Sequence, residues 1–165
     1  MRIIAGAIAL VVVFFAMPAA GFGLEKADMV VVVKSESKLY LKRGGKIINQ
    51  YHVVFGPEPQ GHKLQEGDGK TPEGRYVLDY KNANSDFYKS IHISYPNRAD
   101  RKRAARSGVD PGGEIMIHGQ KNSAGWLASI SKYFNWTEGC IAVSNRAMDE
   151  TWLAVDAGTP IEIKP

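Results

Sequence analysis

Cys140 is the single cysteine of the chain and follows Gly139, while His118, twenty-two residues earlier, precedes Gly119. A thiol becomes a strong nucleophile when an imidazole takes its proton, and the two need be neighbours only in space. Each residue closes or opens an apolar run, Ile115-Met116-Ile117 before His118 and Ile141-Ala142-Val143 after Cys140. Gly139 lets the backbone approach a substrate closely, and the N–H groups of Gly139 and Cys140 are well placed to form an oxyanion hole. The chemistry of such a set is acyl transfer through a thioester. Spacing alone leaves other readings of Cys140 open, since one cysteine is also a buried hydrophobe or half of an intermolecular bridge.

The elements that must position these residues are short. The 165 residues suffice for one domain, and 17 Gly with 8 Pro punctuate a turn-rich β protein better than a helical bundle. Met29 to Lys34, Lys38 to Lys42 and Lys46 to Phe55 read as a meander with a turn at Gly44-Gly45, in which Ile48 would face away from Ile47 and Tyr51. A long Gly/Pro-rich loop from Gly56 to Gly74 follows, and its length draws attention to Asp68, Thr71 and Pro72. Further strands are expected at Arg75 to Tyr80, Ser90 to Ser94, Glu114 to His118, Cys140 to Val143 and Thr159 to Ile163. Helices are expected at Asn97 to Arg106, weakly at Trp126 to Phe134, and from a cap at Ser144 or Asn145 to about Val155. The fold class is mostly β, with two or three short helices.

The N-terminus reads as a secretory signal. Arg2 precedes an apolar run from Ile3 to Met17, then Pro18 and small residues, with cleavage expected after Gly21 or, in competition, after Gly23. An uncleaved anchor is the alternative, but the run falls short of the roughly 20 residues of a spanning helix. Without Arg2, 20 of the 21 Lys plus Arg face 17 Asp plus Glu, a net charge of +3 that calls for no nucleic-acid partner. The mature chain is expected to be soluble, with no stable membrane insertion.

His118-Gly119, the Thr137-Glu138-Gly139-Cys140-Ile141 segment, Asn145 and the closing Gly158-Thr159-Pro160-Ile161-Glu162-Ile163 together resemble the L,D-transpeptidase catalytic (YkuD) domain over residues 29–164. The loop Gly67 to Gly74 looks like the murein transpeptidase, YafK-like, branch of that family. The resemblance implies a β-sandwich-like domain working on peptidoglycan stem peptides in the periplasm or at the cell wall, without metal or organic cofactor. It implies Cys140 as nucleophile and His118 as base and later acid, with the Gly119 carbonyl orienting the imidazole and Gly139 with Cys140 forming the oxyanion turn. The implied reaction attacks the carbonyl of the third stem residue and releases terminal D-Ala. A stem amine, a lipoprotein lysine or water would then take the acyl group, giving a 3-3 cross-link, covalent anchoring or release, or an L,D-carboxypeptidase. Glu138 and Ala142 stand where many members carry His and Arg, which puts the stem-peptide preference in doubt. A non-catalytic wall-binding module is a further alternative.

The remaining candidates carry bland readings beside functional ones. Trp136 borders the Gly-Cys turn and is expected at the site, whereas Trp126, Tyr133 and Phe134 fit groove or core equally. Asn145 either hydrogen-bonds the active-site turn or caps a helix, the commoner task. His52, His62 and His92 show no metal-ligand spacing, and His62 in the long loop is the one expected nearest a substrate. The basic run from Arg98 to Arg106 reads as a solvated helix face.

Overall fold

The computed structural model describes residues 25–123 and 134–165. The expected signal segment lies outside the described residues, and so does the expected helix over Trp126 to Phe134 apart from Phe134 itself, which is exposed.

Eight strands form one sheet. They are β1 (Met29–Val33), β2 (Lys38–Arg43), β3 (Lys46–His52), β4 (Gly74–Ser85), β5 (Tyr88–Ile93), β6 (Met116–His118), β7 (Ile141–Ala142) and β8 (Thr159–Lys164). Their spatial order is β3-β2-β1-β8-β4-β5-β6-β7. The last strand therefore returns to the middle, parallel to β1 and antiparallel to β4. The β-branched run Val30-Val31-Val32 is buried at this centre, as expected of a strand packed on both faces. Gly44 and Gly45 turn β2 into β3 with φ of 54° and 79°, the left-handed pair that a two-residue hairpin needs. Ile47 and Tyr51 do not share a face as expected, because the β2–β3 register slips between Leu41 and Lys42 and leaves Ile48 as an extra residue. Ile47 is consequently 57% exposed while Ile48 and Tyr51 pack on the core.

The sheet curls on itself. Val54, just past β3, exchanges both backbone hydrogen bonds with Ala142 of β7, at 3.0 and 2.9 Å, so the two outermost strands meet. Inside the curl lie Leu39, Leu41, Leu78, Ile91, Ile93, Ile117, Ile141, Ile161 and Ile163, all essentially inaccessible. The expected sandwich is thus a single sheet that packs against itself, a mostly β domain with two α-helices among the described residues.

Helix α1 (Arg98–Ser107) starts in a capping box, Asn97 accepting from the Asp100 N–H while the Asp100 side chain accepts from the Asn97 N–H, and ends on Gly108 at φ 66°. Its basic residues face solvent. Helix α2 (Asn145–Ala154) is capped by Ser144, whose hydroxyl accepts from the Ala147 N–H. It buries Ala147, Met148, Thr151 and Ala154, the helical spacing of one core-facing stripe.

Candidate active site

Three adjacent strands set the site. Cross-strand partners share a face, so the pairs Ile91↔Ile117 and Ile117↔Ile141 turn three isoleucines into the core. The alternate residues then face the other way: Ser90 opposite His118, and His118 opposite Ala142. Cys140, one residue before β7, stands level with Met116 and therefore diagonal to His118. Both open into a cavity of about 610 Å³, within the size range of small-ligand sites.

His118 is buried and fixed. Its Nδ1 lies 2.7 Å from the Gly119 carbonyl oxygen. A carbonyl only accepts, so the proton is on Nδ1 and the lone pair is on Nε2. Phe87 packs against the ring at 4.6 Å between centroids and Trp136 meets it edge-on at 5.7 Å. Burial pushes the imidazole below its ordinary value of 6.5, against the opposing pull of the Gly119 carbonyl. The imidazole is accordingly neutral near pH 7.

Gly119 is a glycine for want of space. A Cβ there would stand 2.7 Å from Asn145 Oδ1 and 2.9 Å from Tyr88 Cβ. Asn145 Oδ1 also accepts the Gln120 N–H at 2.8 Å. Since Ser144 caps α2, Asn145 serves the turn that aims the Gly119 carbonyl; it is not among the residues lining the cavity.

The thiol side is built by the 135–140 segment. Thr137 N–H donates to the Phe55 carbonyl at 3.1 Å, and Phe55 N–H donates to Asn135 Oδ1 at 3.0 Å. The Thr137 hydroxyl donates to the Cys140 carbonyl at 2.8 Å and accepts a long 3.4 Å bond from Gly139 N–H. One of the two expected oxyanion donors thus has a weak partner within its own turn. Gly139 has φ 120°, and a Cβ would approach the Lys70 carbonyl to 2.6 Å, so the long loop is packed beneath the Gly139-Cys140 turn.

Cys140 is half-buried, its S–H 3.5 Å from the Glu114 carbonyl. Burial pushes the thiol above its ordinary value of 9.0; the Met116 N–H and the Lys63 ammonium pull it down, while Glu138 and Glu114 push it up. Both shifts run toward the uncharged forms, the imidazole lowered and the thiol raised. Glu114 was expected within β6, but its φ of 53° takes it out of the strand, and that left-handed backbone turns its carbonyl to the sulfur. The Tyr80 hydroxyl donates to the Glu114 carboxylate at 3.4 Å.

The loop from Gly56 to Gly74 supports the site. Asp68 accepts from the N–H groups of Leu64, Gln65 and Lys70 and from the Lys63 ammonium at 2.9 Å. Burial alone would raise its carboxyl, and these donors together hold it below its ordinary value. Buried Lys34, at the end of β1, reaches the Glu73 carboxylate at 2.8 Å and the Gly61 carbonyl at 2.6 Å. His62 is engaged away from the cavity, Nδ1 accepting the Glu73 N–H at 2.9 Å and Nε2 lying 3.1 Å from Asp100. Thr71 and Pro72 are buried and do not line the cavity.

Of the residues expected at the site, His118, Cys140, Trp136, Thr137 and Glu138 line one cavity, with Gly119, Gly139 and Asn145 behind it. Sequence reading missed Phe87, Ser90 and Glu114 and the hairpin tip of Asn82, Asn84 and Ser85, which also line the cavity. Among the described residues no three His, Cys, Asp or Glu are grouped to hold a metal ion.

The L,D-transpeptidase catalytic domain (YkuD) family model matches residues 27–163. YafK of Escherichia coli (strain K12), which carries an L,D-transpeptidase name, is 31% identical over 116 residues, 68% of this chain and 39% of YafK. The chain therefore spans about two fifths of that relative's length. The helical cell shape determining protein Pgp2 from Campylobacter jejuni superposes with a TM-score of 0.59 at 26% identity, covering 83% of this chain and 48% of Pgp2. An L,D-transpeptidase from Mycobacterium smegmatis shares the fold, with a TM-score of 0.53 at 14% identity over 83% of this chain and 58% of its own. With the match running through both the His118-Gly119 strand and the Gly139-Cys140 turn, the chain belongs to the L,D-transpeptidase catalytic domain family.

Proposed function

We propose that this protein is a cysteine acyltransferase acting on peptidoglycan stem peptides, exported to the periplasm or cell wall. The observation that carries the reading is that the lone thiol and an imidazole of fixed tautomer open into one cavity on one face of β6 and β7.

His118 Nε2 takes the Cys140 proton as the sulfur attacks the carbonyl of the third stem residue. With the imidazole lowered and the thiol raised by burial, the proton moves with attack, and the Gly119 carbonyl stabilises the imidazolium through Nδ1. The oxyanion meets the Cys140 N–H and the Gly139 N–H, which exchanges its long bond to Thr137 for the developing charge. His118 returns the proton to the departing amine, leaving a thioester on Cys140. An incoming amine then accepts the acyl group, which gives a 3-3 cross-link from a stem amine or attachment from a lipoprotein lysine. Asp86, Glu114 and Glu138 outnumber Lys121 around the cavity, a field that favours an ammonium-bearing partner. Water in the acceptor's place makes the same site an L,D-carboxypeptidase or an amidase that releases wall-bound lipoprotein.

Intact-mass analysis after incubation with a carbapenem tests the nucleophile. A single adduct on the wild type and none on Cys140→Ala is expected; no adduct on either, or the same adduct on both, would contradict the assignment.

A further inference from the structure

Four buried side-chain polar atoms among the described residues lack a hydrogen-bond partner: Thr71 Oγ1, Ser90 Oγ, Trp136 Nε1 and Thr151 Oγ1. Thr71 and Thr151 do not line the cavity beside Cys140, whereas Ser90 and Trp136 do. Ser90 is 1% exposed, stands opposite His118 in the β5–β6 register and shares its face of the sheet. An unpaired buried hydroxyl is a cost to the free fold, and alanine there would avoid it. Such a group next to the general base points to a partner that arrives with the substrate.

The proton arithmetic of acyl transfer says which partner. With Nδ1 committed to the Gly119 carbonyl, His118 has one nitrogen to exchange protons, and it handles one proton at a time. The nitrogen that leaves an amide, or attacks a thioester, carries one N–H beyond the proton that His118 moves. That N–H needs an acceptor once water is excluded. Trp136 Nε1 donates only and cannot serve, whereas a serine hydroxyl accepts.

We propose that Ser90 Oγ accepts the N–H of the reacting nitrogen of a peptide amide or primary amine, and thereby turns its lone pair toward His118 Nε2. This rests on the acyl-transfer reading given above. In the first half-reaction the C–N bond of the tetrahedral intermediate breaks and the nitrogen takes a proton from the His118 imidazolium. Its other N–H stays on Ser90, and the amine departs. In the second, the lone pair of the incoming amine forms the C–N bond and the C–S bond breaks. One N–H proton passes to His118 Nε2 and on to the Cys140 thiolate, while the remaining N–H is held by Ser90. Ser90 is thus a catalytic residue for both halves, and it reads a nitrogen that carries hydrogen.

The test compares wild type, Ser90→Ala and hydroxyl-retaining Ser90→Thr on two acyl donors, a disaccharide-tetrapeptide and a thioester of the same tripeptide acyl group. Single-turnover acylation of Cys140 is the readout. Ser90→Ala is expected to lose about tenfold or more on the amide and less than about threefold on the thioester, whose leaving group has no N–H. Its melting temperature should be equal or higher, and the pH profile of Cys140 alkylation by iodoacetamide unchanged, because the free protein loses only an unpaired group. Ser90→Thr should recover part of the amide rate. Equal losses on both donors with a lower melting temperature or a shifted alkylation profile would make Ser90 a structural residue and overturn the proposal. Wild-type rates in Ser90→Ala would overturn it equally. Absence of Cys140-dependent acylation in the wild type would instead sink the acyl-transfer reading itself, a failure seen without any Ser90 variant.

Discussion

The Nδ1 of His118 points at the carbonyl oxygen of the next residue, Gly119, at 2.7 Å, so a main-chain group fixes the orientation of the imidazole. The carbonyl holds its direction because Asn145 Oδ1 anchors the following N–H of Gln120 and Tyr88 closes the space over Gly119.

Substituting Gly119 tests that packing. A Cβ 2.7 Å from Asn145 Oδ1 and 2.9 Å from Tyr88 Cβ forces the turn to shift. Gly119→Ala is expected to destabilise by about 1–3 kcal/mol and to lower kcat/KM by tenfold or more as the carbonyl turns away. Denaturant unfolding and steady-state kinetics check the two effects; an unchanged kcat/KM with lowered stability would separate packing from orientation.

The pH dependence follows from two opposed shifts. As the proposed general base His118 must be neutral, and burial holds it below 6.5, so the acid limb of kcat/KM should fall below pH 6.5. For stability, a depressed imidazole contributes fully above 6.5 and its contribution is lost as pH falls through the folded value. The raised Cys140 thiol does the reverse, contributing below 9.0 and losing that contribution as pH rises through its folded value. Cys140→Ala should therefore flatten the alkaline loss of stability and leave the acid side unchanged. Unfolding free energies across pH provide the check.

Thr137 ties the Gly139-Cys140 turn through its hydroxyl. Thr137→Val keeps the shape and removes both bonds, and about 1–3 kcal/mol of stability should go with them. Turnover should fall more than stability, because the Gly139 N–H loses the partner that holds it ready for the oxyanion. Equal kcat in Thr137→Val and wild type would show that the turn holds without that hydroxyl.

Asp68 is expected to matter at a distance. Asp68→Ala leaves the Lys63 ammonium, 3% exposed at its side chain, without its carboxylate and frees three N–H groups of the loop under Gly139. A loss of about 3–5 kcal/mol is expected for breaking so enclosed a pair. Asp68 is held below 3.8, so its contribution exists above 3.8 and fades as pH falls through the folded value. Thermal unfolding of the variant at neutral and acid pH measures both.

How much could be read beforehand divides along physical lines. Local signals were legible: the β-branched run at Val30 to Val33, the Gly44-Gly45 turn and the basic helix up to Arg106. The extension of β4 to Ser85 was not, because its pairing with β5 shifts register twice and erases the two-residue alternation. With it went Phe87 and Ser90, which the fold alone brings to His118. Ser144 and Asn145 are both good caps, and only the tertiary contact to Gln120 shows that Asn145 has another task. The contacts of the long loop, with Lys34 and against Gly139, were not legible, because they join residues far apart in the sequence.

The most direct measurement incubates the purified protein with defined disaccharide-tetrapeptides and with intact sacculi, beside Cys140→Ala, and reads the products by mass spectrometry. Acyl transfer by Cys140 requires products that the variant does not make. These are dimers joined 3-3 for a stem acceptor, tripeptides for water, or a lysine-bearing remnant gained or lost on sacculi for a lipoprotein. Identical product spectra from the wild type and Cys140→Ala would contradict it.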